Sequence, residues 1–385
     1  MKKMKGVVVC LLLVLLGCDK VPTEVTRRTI PKPDGAKEVF FYSNGKEVAK
    51  CIKNEEGNII KTTGNIPDGV VKQYYESGML EFELNYKNNK REGIAKHYFE
   101  SGKLKKKAGF KNDKRDGISK EYFESGQLKG ERTYKNGKQE GKSKIYYESG
   151  KVAIEAKVKD SKGDGRTKWY YESGQLSRET DFREGMREGI DKSYYESGKL
   201  AFEGNFKNDK KEGVTRTYYE SGKLEAESNF KDGKMEGLGK IYYEGGELKG
   251  ECNHKNGEQE GISKEYFESG QLKGESNFKN NKAEGITRKY YESGQLKRMW
   301  NYKSGKKEGV SKAYYKSGEL KYEMKFEDDK LEGIVKGYYK NGEVRYIKTY
   351  ENNKLIHSKK YDEKGNLMSE KKIKGDNNAK EQKKD

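Results

Sequence analysis

Polar and apolar residues along the chain fall into short strand-like runs, and the runs recur every 24 residues without insertion or deletion. In the stretch 213–236, GVTRTYYESGKLEAESNFKDGKME, two β-rich segments (Val214 to Tyr219 and Leu224 to Phe230) are separated by Glu-Ser-Gly and followed by Lys-Asp-Gly-Lys. Both connectors carry hairpin chemistry, so each unit reads as a β-hairpin. An aromatic pair marks twelve such units, from Tyr74-Tyr75 to Tyr338-Tyr339. A fixed period in this range signals stacked supersecondary units rather than one globular core. The expected fold is all-β: an elongated antiparallel β-hairpin repeat array of twelve 24-residue units in a single-layer twisted meander. At about 4.8 Å per strand it would extend on the order of 115 Å.

The Ser-Gly turn, replaced by Asn341-Gly342 in the last unit, predicts a two-residue loop. That register sets Glu76 opposite Met79, Tyr75 opposite Leu80, Lys72 opposite Glu83 and Gly69 opposite Tyr86. Unit comparison supports it: Glu148 and Lys151 become Lys316 and Glu319, then Lys340 and Glu343, as facing charges should. Lys96 with Lys107 is the one like-charged pair. A ring lying over the strand glycine would cover exposed backbone. The second aromatics, the leucines and the Phe/Tyr column read as the fold's glue. The first tyrosines (Tyr74, Tyr98, Tyr122, Tyr146, Tyr170, Tyr194, Tyr218, Tyr242, Tyr266, Tyr290, Tyr314 and Tyr338) point to the other face beside Ile or Val and Lys, and are the candidate binding residues.

Residues 1–17 read as an export signal: Lys2, Lys3 and Lys5, an apolar run from Val7 to Leu16, then Leu15-Leu16-Gly17-Cys18. Residues 18–37, with Pro22, Pro31 and Pro33, read as a tether. Residues 38–68 form a degenerate N-terminal cap, 69–368 the array, and 369–385 a disordered tail. Between Lys142 and Lys168 the usual Ile or Val becomes Lys142 and Arg166, and the aromatic becomes Val158, so a locally weak segment is expected.

Composition changes this picture in two ways. Hydrophobic residues are 31% and charged residues 38%, which by itself suggests disorder, but 29 Tyr and 13 Phe supply large buried areas suited to a thin sheet. The net charge of +19 is spread evenly with acids interleaved, which argues against a nucleic-acid ligand. Cys51 and Cys252 lie too far apart in the array for a disulfide. His97, His254 and His357 are read as no metal site, and no cofactor is expected. No acid–base pair, nucleophile constellation or phosphate loop points to an enzyme.

Tyr-Tyr-x-x-Gly-x-Leu followed by aromatic-Lys-Asn-Gly-Lys and a closing Gly, as in YFESGQLKGERTYKNGKQEG from Tyr122 to Gly141, resembles the bacterial variant of the MORN repeat found in YwqK-family antitoxins. The resemblance covers about residues 38–368. An acid precedes the closing Gly (Asp68, Glu92, Asp116 onward), and Phe or Tyr replaces the Trp of the eukaryotic-type turn. The residues around Cys18 resemble a lipobox. Together these imply a lipoprotein of the bacterial cell envelope, lipidated at Cys18, that acts as a non-catalytic scaffold for protein or envelope association. Alternatives are an antitoxin or immunity protein masking a toxin, and a cell-wall carbohydrate or choline module; Trp169 and Trp300 stand in different columns, which argues against a repeating cation–π cage.

Overall fold

The computed structural model describes residues 24–56 and 59–373. The signal, Cys18 and most of the tail, from 374 on, lie outside the described residues. Described residues contain strands and turns and no helix. The chain divides into two compact units at Lys151/Val152. Each is an antiparallel hairpin meander.

In the first unit the segment read as a tether is ordered. Val25–Pro31 is a strand, antiparallel to Lys37–Ser43 (Val25 opposite Ser43) and parallel to Gly69–Tyr74 (Val25 opposite Val71). Its alternation explains the departure: Val25 turns into the core, and Arg27 stacks on the Phe82 ring at 3.9 Å while its Nε donates to Gln73 at 2.9 Å. The cap continues through Lys46–Lys53 and Ile59–Gly64. Phe41, Cys51, Val71, Leu84 and Tyr86 are buried together, with Phe41 edge-on to Tyr86 at 5.4 Å between centroids. This is where the thin sheet gains a conventional core.

The second unit runs from Val152–Lys159 to a closing strand, Leu367–Lys372, antiparallel to Lys354–Tyr361. That strand enters the segment assigned to the disordered tail. Six residues in strand conformation suffice to satisfy the edge of the preceding strand, although all of them stay exposed.

Within a repeat the expected inner register holds. Lys72 faces Glu83 and Gly69 faces Tyr86. At the Ser-Gly turn it does not: Tyr74, not Tyr75, faces Leu80. The Gly78 amide donates to the Tyr75 carbonyl at 3.0 Å and the Tyr75 amide to the Met79 carbonyl at 2.9 Å. The loop thus has three residues, with Gly78 at φ 82 and Glu81 as an extra residue in the returning strand. A two-residue type I′ loop needs positive φ at both positions, which Ser77 resists, whereas a type I turn followed by one left-handed glycine does not. Glu76 therefore lies inside the loop and Met79 closes it opposite Tyr75, so the two do not face each other. The type I′ geometry falls on the other connector, where Asn88 and Asn89 take φ 52 and 62.

The closing glycine has a different cause from the one expected. A Cβ built on Gly69 meets nothing within 4 Å, but its φ is +119, and all twelve closing glycines have positive φ. Conformation, not a covering ring, selects glycine there.

Candidate recognition surface

The two faces of each hairpin sheet are built differently. On one, most first tyrosines lie beside the basic residue of their own strand and an acid of the strand before. Tyr98, Tyr194, Tyr218 and Tyr338 donate to Glu83, Glu179, Glu203 and Glu323 at 2.8–3.2 Å. Tyr170, Tyr266 and Tyr290 do the same to Glu155, Glu251 and Glu275, Tyr74 to Glu24, and Tyr314 meets the Met299 sulfur at 3.9 Å. Tyr122, Tyr146 and Tyr242 occupy the same column. Burial first, and then the hydrogen bond to Glu203, push the Tyr218 phenol up to about 12, so it remains a donor. The Lys96 ammonium, 2.7 Å from Glu83, holds that carboxyl below the usual range. The same contact resolves the Lys96–Lys107 conflict, because Lys96 turns to the acid of the preceding repeat. The tyrosines chosen as binding residues are in this way tied into a Lys–Glu–Tyr ladder. Beside it runs an exposed apolar column, including Ile94 (61% exposed), Ile118, Ile262 and Ile334.

The edges are locked by the repeat signature. The acid before most closing glycines accepts from the first amide of the next turn: Asp68 from Asn88, Glu236 from Asn256, Glu332 from Asn352, at 2.7–2.8 Å. Where the second turn residue is Asp or Asn, its carboxyl or amide oxygen accepts from the preceding repeat, as Asp113 does from the Arg91 amide at 2.9 Å. Second tyrosines donate across repeats to the carbonyl of the first tyrosine, Tyr195 to Tyr218 at 2.6 Å and Tyr219 to Tyr242 at 2.7 Å. The bulge residue stacks a cation on the same ring, as Lys249 does over Tyr243 at 5.5 Å. The column of second aromatics is glue, as expected.

The other face carries the differences between repeats. Aligned with Gln73 stand His97, Glu121, Ile145, Trp169, Ser193, Thr217, Ile241, Glu265, Lys289, Ala313 and Gly337. The facing column, from Phe82, includes Gly130, Arg178, Phe202, Gly274, Arg298 and Tyr346. Its neighbour, from Leu84, includes Arg132, Thr180, Cys252, Trp300 and Lys348. Both tryptophans of the chain therefore stand on this face. Between these columns a middle position holds small side chains such as Ser119, Thr167, Thr215 and Ser311, all buried by their larger neighbours. In the second unit the column accommodates a carboxylate: Asp191, 2% exposed, accepts from Arg178 Nη2 at 2.6 Å and Thr180 at 2.8 Å. Column-by-column comparison of the units holds the signal for this face. Invariance had drawn attention to the opposite one.

A cavity of about 420 Å³ opens on the variable face where Gly239 and Gly250 replace larger residues. Cys252 and His254, two apart on one strand, share that face, and the thiol lies 3.9 Å from Nδ1. The two residues assigned to no site are thus neighbours.

Twelve successive segments, residues 67–88, 91–112, 115–136, 139–160, 163–184, 187–208, 211–232, 235–256, 259–280, 283–304, 307–328 and 331–352, match a family model described as MORN repeat variant. No curated protein matches the chain. Among solved structures, the chain is similar to the crystal structure of TcdB2-TccC3, with and without its hypervariable C-terminal region, at 13% identity over 88% of this chain and 22% of that one, with a TM-score of 0.14. A Photorhabdus luminescens Tc holotoxin pore with a mutated TccC3 is similar at 12% identity, over 87% of this chain and 25% of that one, with a TM-score of 0.15. The chain spans a quarter or less of those proteins, and likenesses of that size carry no argument.

Proposed function

This chain belongs to the MORN repeat variant family, and from that premise we propose a non-catalytic binding scaffold, held at a bacterial envelope membrane through Cys18, that recognises protein partners with the face on which its repeats differ. One observation carries the reading: framework columns repeat while the columns of Gln73, Phe82 and Leu84 change at nearly every unit. Identical columns can read only a periodic ligand. A surface that changes from repeat to repeat suits an aperiodic one, such as a folded protein. Trp300 and Arg298 are also of the types that dominate binding energy at protein interfaces.

A toxin-masking role would use the same face, with a few residues carrying most of the energy. The exposed Ile and Val column favours a second reading, a periodic envelope polymer such as a cell-wall glycan laid along the constant face. Anchoring is tested with Cys18→Ala, expected to accumulate as precursor and to leave the native partner uncollected when membranes are solubilised and the chain is purified. Normal processing of the variant, with lipid absent from the native N-terminus by mass spectrometry, would overturn the anchor. Partner recovery unchanged by the substitution would show that binding does not depend on it.

A further inference from the structure

We propose that Met235, Cys252 and His254 form a binding site for a monovalent soft metal ion, copper(I). Three departures from the repeat coincide here. The column of Cys252 is Ser in the flanking repeats (Ser228 and Ser276), and that of His254 is Phe (Phe230 and Phe278). The column of Met235 is Arg, Lys or Gln in most units. No other unit holds a thiol or an imidazole at these three positions, and the one thioether elsewhere in them, Met324 in the Cys252 column, stands without either.

The framework brings the three groups together. In the Met235 column the side chain lies over the ring 19 residues on: Arg91 over Phe110 at 4.6 Å, Arg187 over Phe206 at 4.0 Å, Lys211 over Phe230 at 4.8 Å. For Met235 that ring is His254. All three residues line the same 420 Å³ cavity, opened by Gly239 and Gly250, where the column of Gly239 elsewhere carries mostly Ser or Thr.

The geometry and charge select the ion. The Cys252 sulfur stands 3.9 Å from Nδ1 and 4.0 Å from Nε2 of His254. With metal–sulfur and metal–nitrogen bonds of about 2.3 and 2.0 Å, that separation subtends about 130° at the metal. This is wider than a tetrahedral zinc site and suits two or three ligands. Thiolate and thioether are soft donors that favour copper(I). The acid on this face, Glu265, is held by Lys273 and Lys289, each at 2.6 Å, and Lys249 also lines the cavity, while Lys240, Glu251 and Lys264 at its wall belong to the ladder of the other face, so a divalent ion meets more repulsion than a monovalent one. On binding, the thiol releases its proton to solvent and the sulfur–copper bond forms with no change in oxidation state. Because the thiol must lose its proton to bind, affinity falls as pH falls.

The test is titration of the reduced full chain, without oxygen, with copper(I) buffered by a chromophoric chelator, beside a zinc(II) titration. The substitutions Cys252→Ser, His254→Phe and Met235→Lys each install a residue that another repeat carries at that place, so the framework stays intact; far-ultraviolet circular dichroism checks this. Because the chain has four cysteines, the readout is the difference from wild type. We expect Cys252→Ser to bind one equivalent fewer. Outer-shell partners alone are worth about 10–100-fold in affinity, so His254→Phe and Met235→Lys should each weaken that equivalent by at least about tenfold. An unchanged equivalent in Cys252→Ser, full affinity in His254→Phe or in Met235→Lys, or zinc(II) binding tighter than copper(I) would each overturn the site.

Discussion

Single residues hold this sheet together from one repeat to the next. Replacing Glu236 by Ala removes the acceptor of the Asn256 amide and should cost about 0.5–1.5 kcal/mol of local stability, read as faster exchange of that amide. Exchange unchanged at Asn256 would deny the clamp. The ladder carboxylates Glu83 and Glu203 are depressed, the first by Lys96 and the second by Tyr218, so they stabilise the fold at neutral pH. That contribution is lost as pH falls below the ordinary glutamate value of about 4.3 and through the folded values. Lys53 acts in the opposite range. Burial first, then Arg27 and Arg91, bring it down to about 8, so between that value and about 10.4 the unfolded chain binds more protons at this site and Lys53 contributes stability that grows as pH rises, against the buried Cys51 thiol, whose raised value acts in the other direction. Lys53→Met should make the urea midpoint rise less, or fall more, across that window than in the parent chain. An unchanged pH dependence in the variant would deny Lys53 the role. The acid before the closing glycine was visible in the sequence, but its partner is 20 residues away in the next repeat, beyond any pairing within one hairpin.

At the scale of elements, hairpin identity and inner register were legible because opposite charges recur at facing positions such as Lys72 and Glu83, whereas the pair that changes sign in concert, Glu148 and Lys151 becoming Lys316 and Glu319, lies at the turn and does not face. Turn type was not. Both connectors contain residues able to turn, and only the three-residue loop with its extra residue at Glu81 distinguishes the Ser-Gly turn from the type I′ turn at Asn88-Asn89. Val25–Pro31 escaped notice because prolines around it suggest a tether, whereas Pro31 ends the strand, where its missing amide costs nothing to the ladder. The segment from Lys142 to Lys168, which includes the boundary at Lys151/Val152, lacks the apolar residue of its column twice. Arg166 recovers part of the deficit by pairing with the facing Asp181 at 2.8 Å, an exposed contact of about 0–1 kcal/mol. Hydrogen exchange should therefore be faster there than between Gly189 and Tyr243. Equal protection would mean that local and nearest-neighbour terms do not set stability in this chain.

In the whole molecule a constant framework carries a variable surface on its other face. Repetition made the framework conspicuous, which is why the first tyrosines were read as the ligand face; their hydroxyls are largely spent on the carboxylates of the preceding repeat. Variation made the other face inconspicuous, since no single motif marks it. The most direct measurement places a photo-crosslinking amino acid at one position at a time in the full chain. On the variable face the positions are Thr217, Ile241, Lys289 and Arg298; on the constant face they are Val214, Leu238, Ile286 and Val310. After irradiation in cells, adducts with other proteins are expected from the first set and not from the second. Adducts confined to the second set, or equal from both, would contradict recognition through the variable face.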